Sequence, residues 1–559
     1  MPPWKPEPGF GEFAGDRRLT GKQIETFQRW IEGGLVEGAP ADLPRQPEWP
    51  SGWELGTPDL VLTMPEYTLR AGGPDMFRNF VIHVPTGVSR FVRAWEFRPG
   101  NRVVHHATMQ IDTEGTSRRY DDQDAESGYE GLIAPSARAP DGFFLDWAPG
   151  HQPAVAVPST AWPLPKDSDL VMMLHLRPSG KVEQVQASIG LYFSDSPPPR
   201  LPVMLRLTRQ NLDIPPGESG YRVTDSFTLP IDVDVYTVQP HAHYLAHEMR
   251  GTARLPDGTI RPLILIKQWD FDWQDVYHYA APVFLPAGST LSMDYTYDNS
   301  SANPRNPHAP PVRVTYGQQT SDEMAELWFQ VVPRDPQQRA ALTRSLYAKV
   351  LPEEINGRQM MIAKDPGNVA LHDDLGLMYV ETGRLASAIE EFKASLRLRP
   401  DLAATRFNVG AALLAAGDRR SARSYFEQTL EADPNHAVAH SNLGALLQAD
   451  GDLSAAMSHY RRALDLAPAD AEIQLTAGVG YAATGDLAAA LAHLREAIQL
   501  RPDWPNAQAA LASVIARSPA STPDELKYAL ALADRAVQLT EGKNAAFVEI
   551  LGTVRRAQR

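Results

Sequence analysis

Cysteine is absent from all 559 residues. That excludes disulfides, thiolate-bound metals, iron–sulfur clusters and C-x-x-C-H haem attachment within this chain. Any metal must be held by histidine, methionine, carboxylate or backbone oxygen. No apolar run approaches the roughly 20 residues that span a bilayer, so no transmembrane segment is expected. The first 30 residues, from MPPWKPEPGF onward, lack the basic and apolar regions of an export signal. Positive charge is in deficit, 53 Lys+Arg against 68 Asp+Glu for a net charge of -15. This disfavours a nucleic-acid or anionic-membrane partner and reads as solvated helix faces. The length suggests roughly three or four domains.

The most regular feature lies at the C-terminal end. Prolines fall at 366, 400, 434, 468 and 502, a constant interval of 34. Glycines keep that period at 376, 410, 444 and 478, and again at 383, 417, 451 and 485. Ala388, Ala422, Ala456 and Ala490 recur in step, each followed four positions later by Phe392, Phe426, Tyr460 or Leu494. Such a period predicts a helix–turn–helix unit: the first glycine lets two helices approach, the second sits in the turn, and the proline ends the unit. The phasing resembles the tetratricopeptide repeat, with Leu375-Gly376 and Tyr379 in the first helix. An α-helical solenoid is expected over 366–559: four clear units, a degenerate fifth interrupted by the loop 518–523, and a capping helix from Ala545 to Arg555. It would bind a protein or peptide partner in its groove, or serve as a spacer or oligomerisation arm.

Residues 51–335 have a different texture, with short alternating runs such as PDLVLTM, FVRAWEFRPG, VEQVQASIGLYFS, YRVTDSFTLP and STLSMDYTYDNSS, separated by Pro, Gly, Asn and Asp. These predict two tandem antiparallel β-sandwich domains of jelly-roll type, making the fold class multidomain β + α. Ser194-Asp195-Ser196-Pro197-Pro198-Pro199 cannot continue a sheet, so the expected domains are 51–200 and 201–335. Residues 336–365 read as helical, either a stiff linker or a packing helix.

Candidate ligands fall on both sides of that boundary. In the first domain, His105 and His106 are adjacent on a strand and His175 ends another. Successive strand residues face opposite ways, so His105 and His106 share a metal only with a bulge, a strand end or different ring nitrogens. In the second domain, His241 and His243 are spaced i, i+2, which puts both imidazoles on one face. His247 is a rival ligand. Met324 has core packing as its commoner role. A thioether suits neither zinc nor hard cations, so His-x-His with Met points to copper.

Together, VVHHATM, LHLRPSG, PHAHYLAHEM and TSDEMAELWF resemble, in order and spacing, the copper type II ascorbate-dependent monooxygenases, which include the peptidylglycine α-hydroxylating and dopamine β-hydroxylating enzymes. The resemblance implies two coppers per chain facing across a solvent-filled cleft. His105, His106 and His175 would hold the electron-transfer copper, and His241, His243 and Met324 the catalytic, dioxygen-binding one. It implies hydroxylation of an aliphatic C–H of a small-molecule substrate, using O2 and an external reductant such as ascorbate, in a periplasmic or otherwise extracytoplasmic setting. The peptidylglycine enzymes grip a substrate carboxylate where this chain has Gln239, Glu326 and Trp328. A negative Glu326 would repel a carboxylate, which argues against a peptidyl-glycine substrate.

The N-terminal residues 1–50 include an amphipathic helix over 20–34, with Ile24, Phe27, Trp30 and Ile31 on one face. With PPWKPEPGFGEF this segment resembles the tail of a bacterial haem-c-binding module, and Met1 reads as an internal methionine of a longer chain. The cluster Trp269-Asp270-Phe271-Asp272-Trp273 reads as a border of the cleft or as a strand end and turn. The competing functional readings are a non-catalytic copper-binding or sensing protein, an interaction scaffold centred on the repeats and, more weakly, a zinc hydrolase on the three-histidine set, which leaves Met324 unexplained.

Overall fold

The structure, a computed structural model, describes residues 4–43 and 52–558 apart from 123, 131, 132, 135, 141, 144, 150–152 and 158. Residues 1–3 and 44–50 of the N-terminal segment lie outside the described residues, as does residue 51, the expected start of the first β domain. The chain forms two compact units, Met1–Met361 and Ile362–Arg559. Among the described residues, no helix is long and apolar enough to cross a membrane.

The first unit is rich in β-strands and contains two cores. In the first, the strands Leu60–Thr63, Ser188–Phe193, Arg90–Arg98 and Trp162–Leu164 lie side by side. A second sheet places Asp169–Leu176 between Met76–His83 and Val104–Asp112. Alternating residues of both sheets meet in one apolar cluster, Val92, Trp95, Ile189 and Leu191 from one and Phe80, Met109, Met172 and Leu174 from the other. Each buried side chain of this kind contributes roughly 1.5–3 kcal/mol relative to exposure.

The second core repeats this plan. One sheet orders Val203–Thr208, Glu326–Pro333, Val233–His241 and Tyr277–Leu285. The other orders Tyr221–Thr228, Thr290–Tyr297, Ala246–Arg254 and Ile260–Ile266. All ladders are antiparallel. The helix Arg339–Lys364 buries Leu342 and Leu346 in this core, and its Glu353 pairs with Arg209 at 2.6 Å. Over the part that belongs to the first unit the helix therefore packs against the second core.

The N-terminal segment also belongs to this unit. Phe13 bridges to Tyr279 and stacks on it with ring centroids 5.0 Å apart, while Trp4 meets Tyr277 edge-on at 5.6 Å. Lys5 pairs with Asp270 at 3.0 Å. The helix Gly21–Glu32 starts at a capping box between Thr20 and Gln23 and buries none of its residues. Its apolar face of Ile24, Phe27, Trp30 and Ile31 is exposed.

The second unit is helical throughout its described residues. Helices pair in sequence: Val369–Glu381 with Leu385–Leu398, Ala403–Ala415 with Arg419–Ala432, Ala437–Ala449 with Leu453–Leu466, Ala471–Ala483 with Leu487–Leu500, and Pro505–Arg517 with Pro523–Leu539. The helix Ala545–Ala557 follows and packs on the last pair. The periodic glycines act as the spacing predicts. A Cβ on Gly410 or Gly444 would lie 2.8 Å from the ring of Phe426 or Tyr460, and the turn glycines Gly417 and Gly451 have φ of +87° and +89°. A third periodic device is less visible in the sequence. His372, His440, Gln474 and Gln508 each bond the carbonyl of the proline six residues earlier, at 3.2, 3.1, 2.6 and 2.7 Å. Arg406 does the same to Pro400.

Candidate metal centre

His106 and His175 are directly opposed on neighbouring strands, but the register then jumps from His175↔His106 to Leu176↔Val104. His105 is thus the extra residue of a β-bulge, which turns two adjacent side chains to one side. The Nδ1 atoms of His105 and His106 lie 3.4 Å apart and those of His106 and His175 3.2 Å apart. One ligand atom from each of the three residues falls within 4.8 Å of the others. His175 Nε2 lies 2.8 Å from Asp75 Oδ2, placing its proton there and directing Nδ1 at the other two rings. Phe77 stacks on His175 with centroids 4.3 Å apart.

The second set forms at the end of the strand Val233–His241. His241 ends its strand opposite Glu326. Its Nδ1–H donates to Gln274 Oε1 at 2.5 Å, and its Nε2 lies 3.3 Å from Met324 Sδ. His243 is 4% exposed, and its Nδ1–H donates to the Asp322 carbonyl at 3.1 Å. The cluster at 269–273 does border this set: Trp269 Nε1–H donates to the His243 carbonyl at 3.0 Å, and Phe271 meets the His243 ring edge-on at 5.6 Å. His247 does not join it, standing exposed at a register shift in the opposite sheet.

Burial favours the neutral form of the His105, His106 and His175 imidazoles, the form in which they ligate metals. The His106 ring is pushed down to about 3, first by desolvation and then by the fields of His175, His105, His241 and His243. His105 and His175 are also lowered by burial, with Asp75 partly opposing at His175. Glu323 is fully buried, and desolvation pushes it up to about 8 despite three backbone N–H donors.

Sequence reasoning took Glu326 as a negative charge that would repel a substrate carboxylate. The structure adds the partners of that charge. Glu326 is 6% exposed, Arg206 Nη1 lies 3.4 Å from its Oε1, and Trp328 Nε1–H donates to its Oε2 at 2.9 Å. The Arg206 guanidinium also covers the Trp328 ring at 4.9 Å and pairs with Glu354. Sequence reasoning also missed Asp75, Gln274 and the contacts of Glu323. Glu323 had a signal, an acidic residue directly before the candidate Met in Ser321-Asp322-Glu323-Met324, whereas Asp75 and Gln274 had none.

Soft thioether and neutral imidazole suit Cu(I), and three imidazoles serve both copper oxidation states. The donor set fits copper better than zinc, which would not recruit Met324.

Comparison with known proteins bears on the other unit. Three family models described as tetratricopeptide repeat match residues 368–435, 410–471 and 447–514. No curated protein matches the chain. Among solved structures, the Cut9 and Hcn1 hetero-tetramer of the APC/C is 16% identical over 38% of this chain and 41% of that one, with a TM-score of 0.34. The chain thus spans under half the length of that relative. MamA (41-end) from Desulfovibrio magneticus RS-1 is 21% identical over 32% of this chain and 97% of that one, with a TM-score of 0.27. TTC0263, a thermophilic tetratricopeptide protein in Thermus thermophilus, is 21% identical over 34% of this chain and 100% of that one, with a TM-score of 0.29. Residues 368–514 are therefore tetratricopeptide repeats, an architecture that presents a surface to a protein or peptide partner.

Proposed function

We propose that the first unit is a copper-dependent monooxygenase and that the repeats bring it to a protein partner. The observation that carries this is the pairing of two unlike donor sets in one unit: the three convergent Nδ1 atoms of His105, His106 and His175, and His241 Nε2 with Met324 Sδ at 3.3 Å. Copper at the two sets would supply one-electron transfer and the activation of O2 for C–H hydroxylation. On this reading each half of the first unit is a jelly-roll-like domain, and the setting is extracytoplasmic.

The residues of this chain bind, orient and dehydrate. Asp75 and Gln274 fix the tautomers of His175 and His241, so that the opposite nitrogens face their sets. Phe77 and Phe271 place apolar rings against His175 and His243, which limits water. Arg206 is engaged by Glu326 and Glu354, so it is not free to receive a substrate carboxylate. A small uncharged substrate fits this reading better than a peptidyl-glycine.

The test is oxygen uptake by the copper-loaded protein with ascorbate and a panel of small uncharged organic compounds. Reductant-dependent uptake with a hydroxylated product, lost in Met324→Ala, supports the enzyme. Bound copper without turnover supports the copper-binding or sensing alternative, and absence of stoichiometric copper supports an interaction scaffold built on the repeats.

A further inference from the structure

His243 and Met324 come from segments about 80 residues apart, and both lie beyond the last ladder pair that joins their strands, His241 with Glu326. Sheet hydrogen bonds therefore do not set their separation. Besides the His243 Nδ1–H bond to the Asp322 carbonyl at 3.1 Å, the side chain of Glu323 spans the gap. Glu323 Oε1 accepts from the backbone N–H of His243 at 2.5 Å and of Met324 at 2.8 Å, and Oε2 accepts from that of Leu245 at 2.9 Å. Glu323 is itself fixed by its backbone, its N–H donating to the Thr315 carbonyl at 3.2 Å and its carbonyl accepting from Gly317 N–H at 3.3 Å. Tyr297 O–H adds a bond to the Met324 carbonyl at 2.7 Å. The carboxylate thus replaces the missing rungs of the ladder.

We propose that Glu323 is a positioning residue, which sets His243 and Met324 in register with each other. As a metal-site statement this rests on the reading of His241, His243 and Met324 as ligands; as a statement about backbone geometry it stands without it. The geometry demands that both side-chain oxygens accept backbone N–H groups. A glutamine has one acceptor oxygen and one NH2 group, so at one end an N–H must face a backbone N–H. Loss of such an outer contact typically weakens metal retention by about 10- to 100-fold.

The experiment compares the full-length wild type with Glu323→Gln by copper content after reconstitution, 13C-methyl methionine spectra and hydrogen–deuterium exchange. The expected result is a fall from about two coppers towards one, a displaced Met324 methyl signal with an unchanged Met172 signal from the first core, and faster exchange confined to 241–246 and 320–325. A folded Glu323→Gln protein with wild-type copper, Met324 signal and exchange overturns the proposal. So does a uniform rise in exchange across the first unit, which would mark a general role in stability. Should Glu323→Gln not fold, wild-type exchange decides: slow exchange of the His243, Leu245 and Met324 amides supports the clamp and fast exchange overturns it. Wild-type protein lacking copper at the second set removes the ligand reading, while the methyl and exchange data still decide the role of Glu323.

Discussion

His106 and His175 face one another across an antiparallel pair with their Nδ1 atoms 3.2 Å apart, and His105 reaches the same point only because it is bulged out of the ladder. Behind them, Asp75 holds His175 by its other nitrogen at 2.8 Å. Asp75→Ala should leave the fold intact, since Asp75 is largely exposed, and weaken copper at the first set by about 10- to 100-fold. Competition with a Cu(I) chelator measures this, and unchanged retention contradicts the assigned tautomer.

The repeat glycines should fail for two different reasons. In Gly444→Ala the new methyl lies 2.8 Å from the Tyr460 ring, so overpacking should cost about 1–3 kcal/mol. Gly451→Ala has open space but φ of +89°, and strain alone should cost about 1–2 kcal/mol. Chemical denaturation of the repeat unit checks both. A neutral Gly444→Ala would mean that the helices do not need this approach.

The segment before Arg17 should support the second donor set through the chain around Gln274. Phe13 stacks on Tyr279, Trp4 meets Tyr277, and Lys5 holds Asp270, all within ten residues of the glutamine that bonds His241. Removing residues 1–14 is expected to lower the first unit's melting temperature and its copper retention at the second set, with the first set spared. Equal loss at both sets contradicts this route.

A pH effect is expected in the repeats. His440 Nε2–H donates to the Pro434 carbonyl, so its Nδ1 accepts from His459 Nδ1–H at 2.8 Å. Burial, then His440, holds His459 below its ordinary value. A depressed histidine binds fewer protons folded than unfolded, so its stability contribution is full above about pH 6.5 and is lost as pH falls below that. In the next repeat the equivalent pair is Gln474 and His493, also at 2.8 Å. His440→Gln copies that solution and should reduce the loss of stability between pH 7 and 5, read by thermal melts. Parallel pH profiles would contradict it.

The solenoid was legible because four helix pairs repeat the same steric demand, a glycine under an aromatic ring or a leucine side chain, at the same interval. Alternation also marked the β region, but strand pairing is non-local. Nothing in the sequence near His175 names Met76–His83 as its neighbour or brings Asp75 to it. The condition that His105 and His106 share a side only through a bulge was readable beforehand; that the bulge sits at His105 was not. The partners of Glu326 were not readable because Arg206 comes from an adjacent strand, and sequence shows charge without pairing.

The central claim is tested most directly by elemental analysis of copper after reconstitution and desalting, on the wild type, His243→Ala and Met324→Ala. The account predicts about two coppers per chain, falling towards one in His243→Ala, with weakened Cu(I) retention in Met324→Ala. Substoichiometric copper that neither substitution changes would contradict it and leave the repeats as the functional centre.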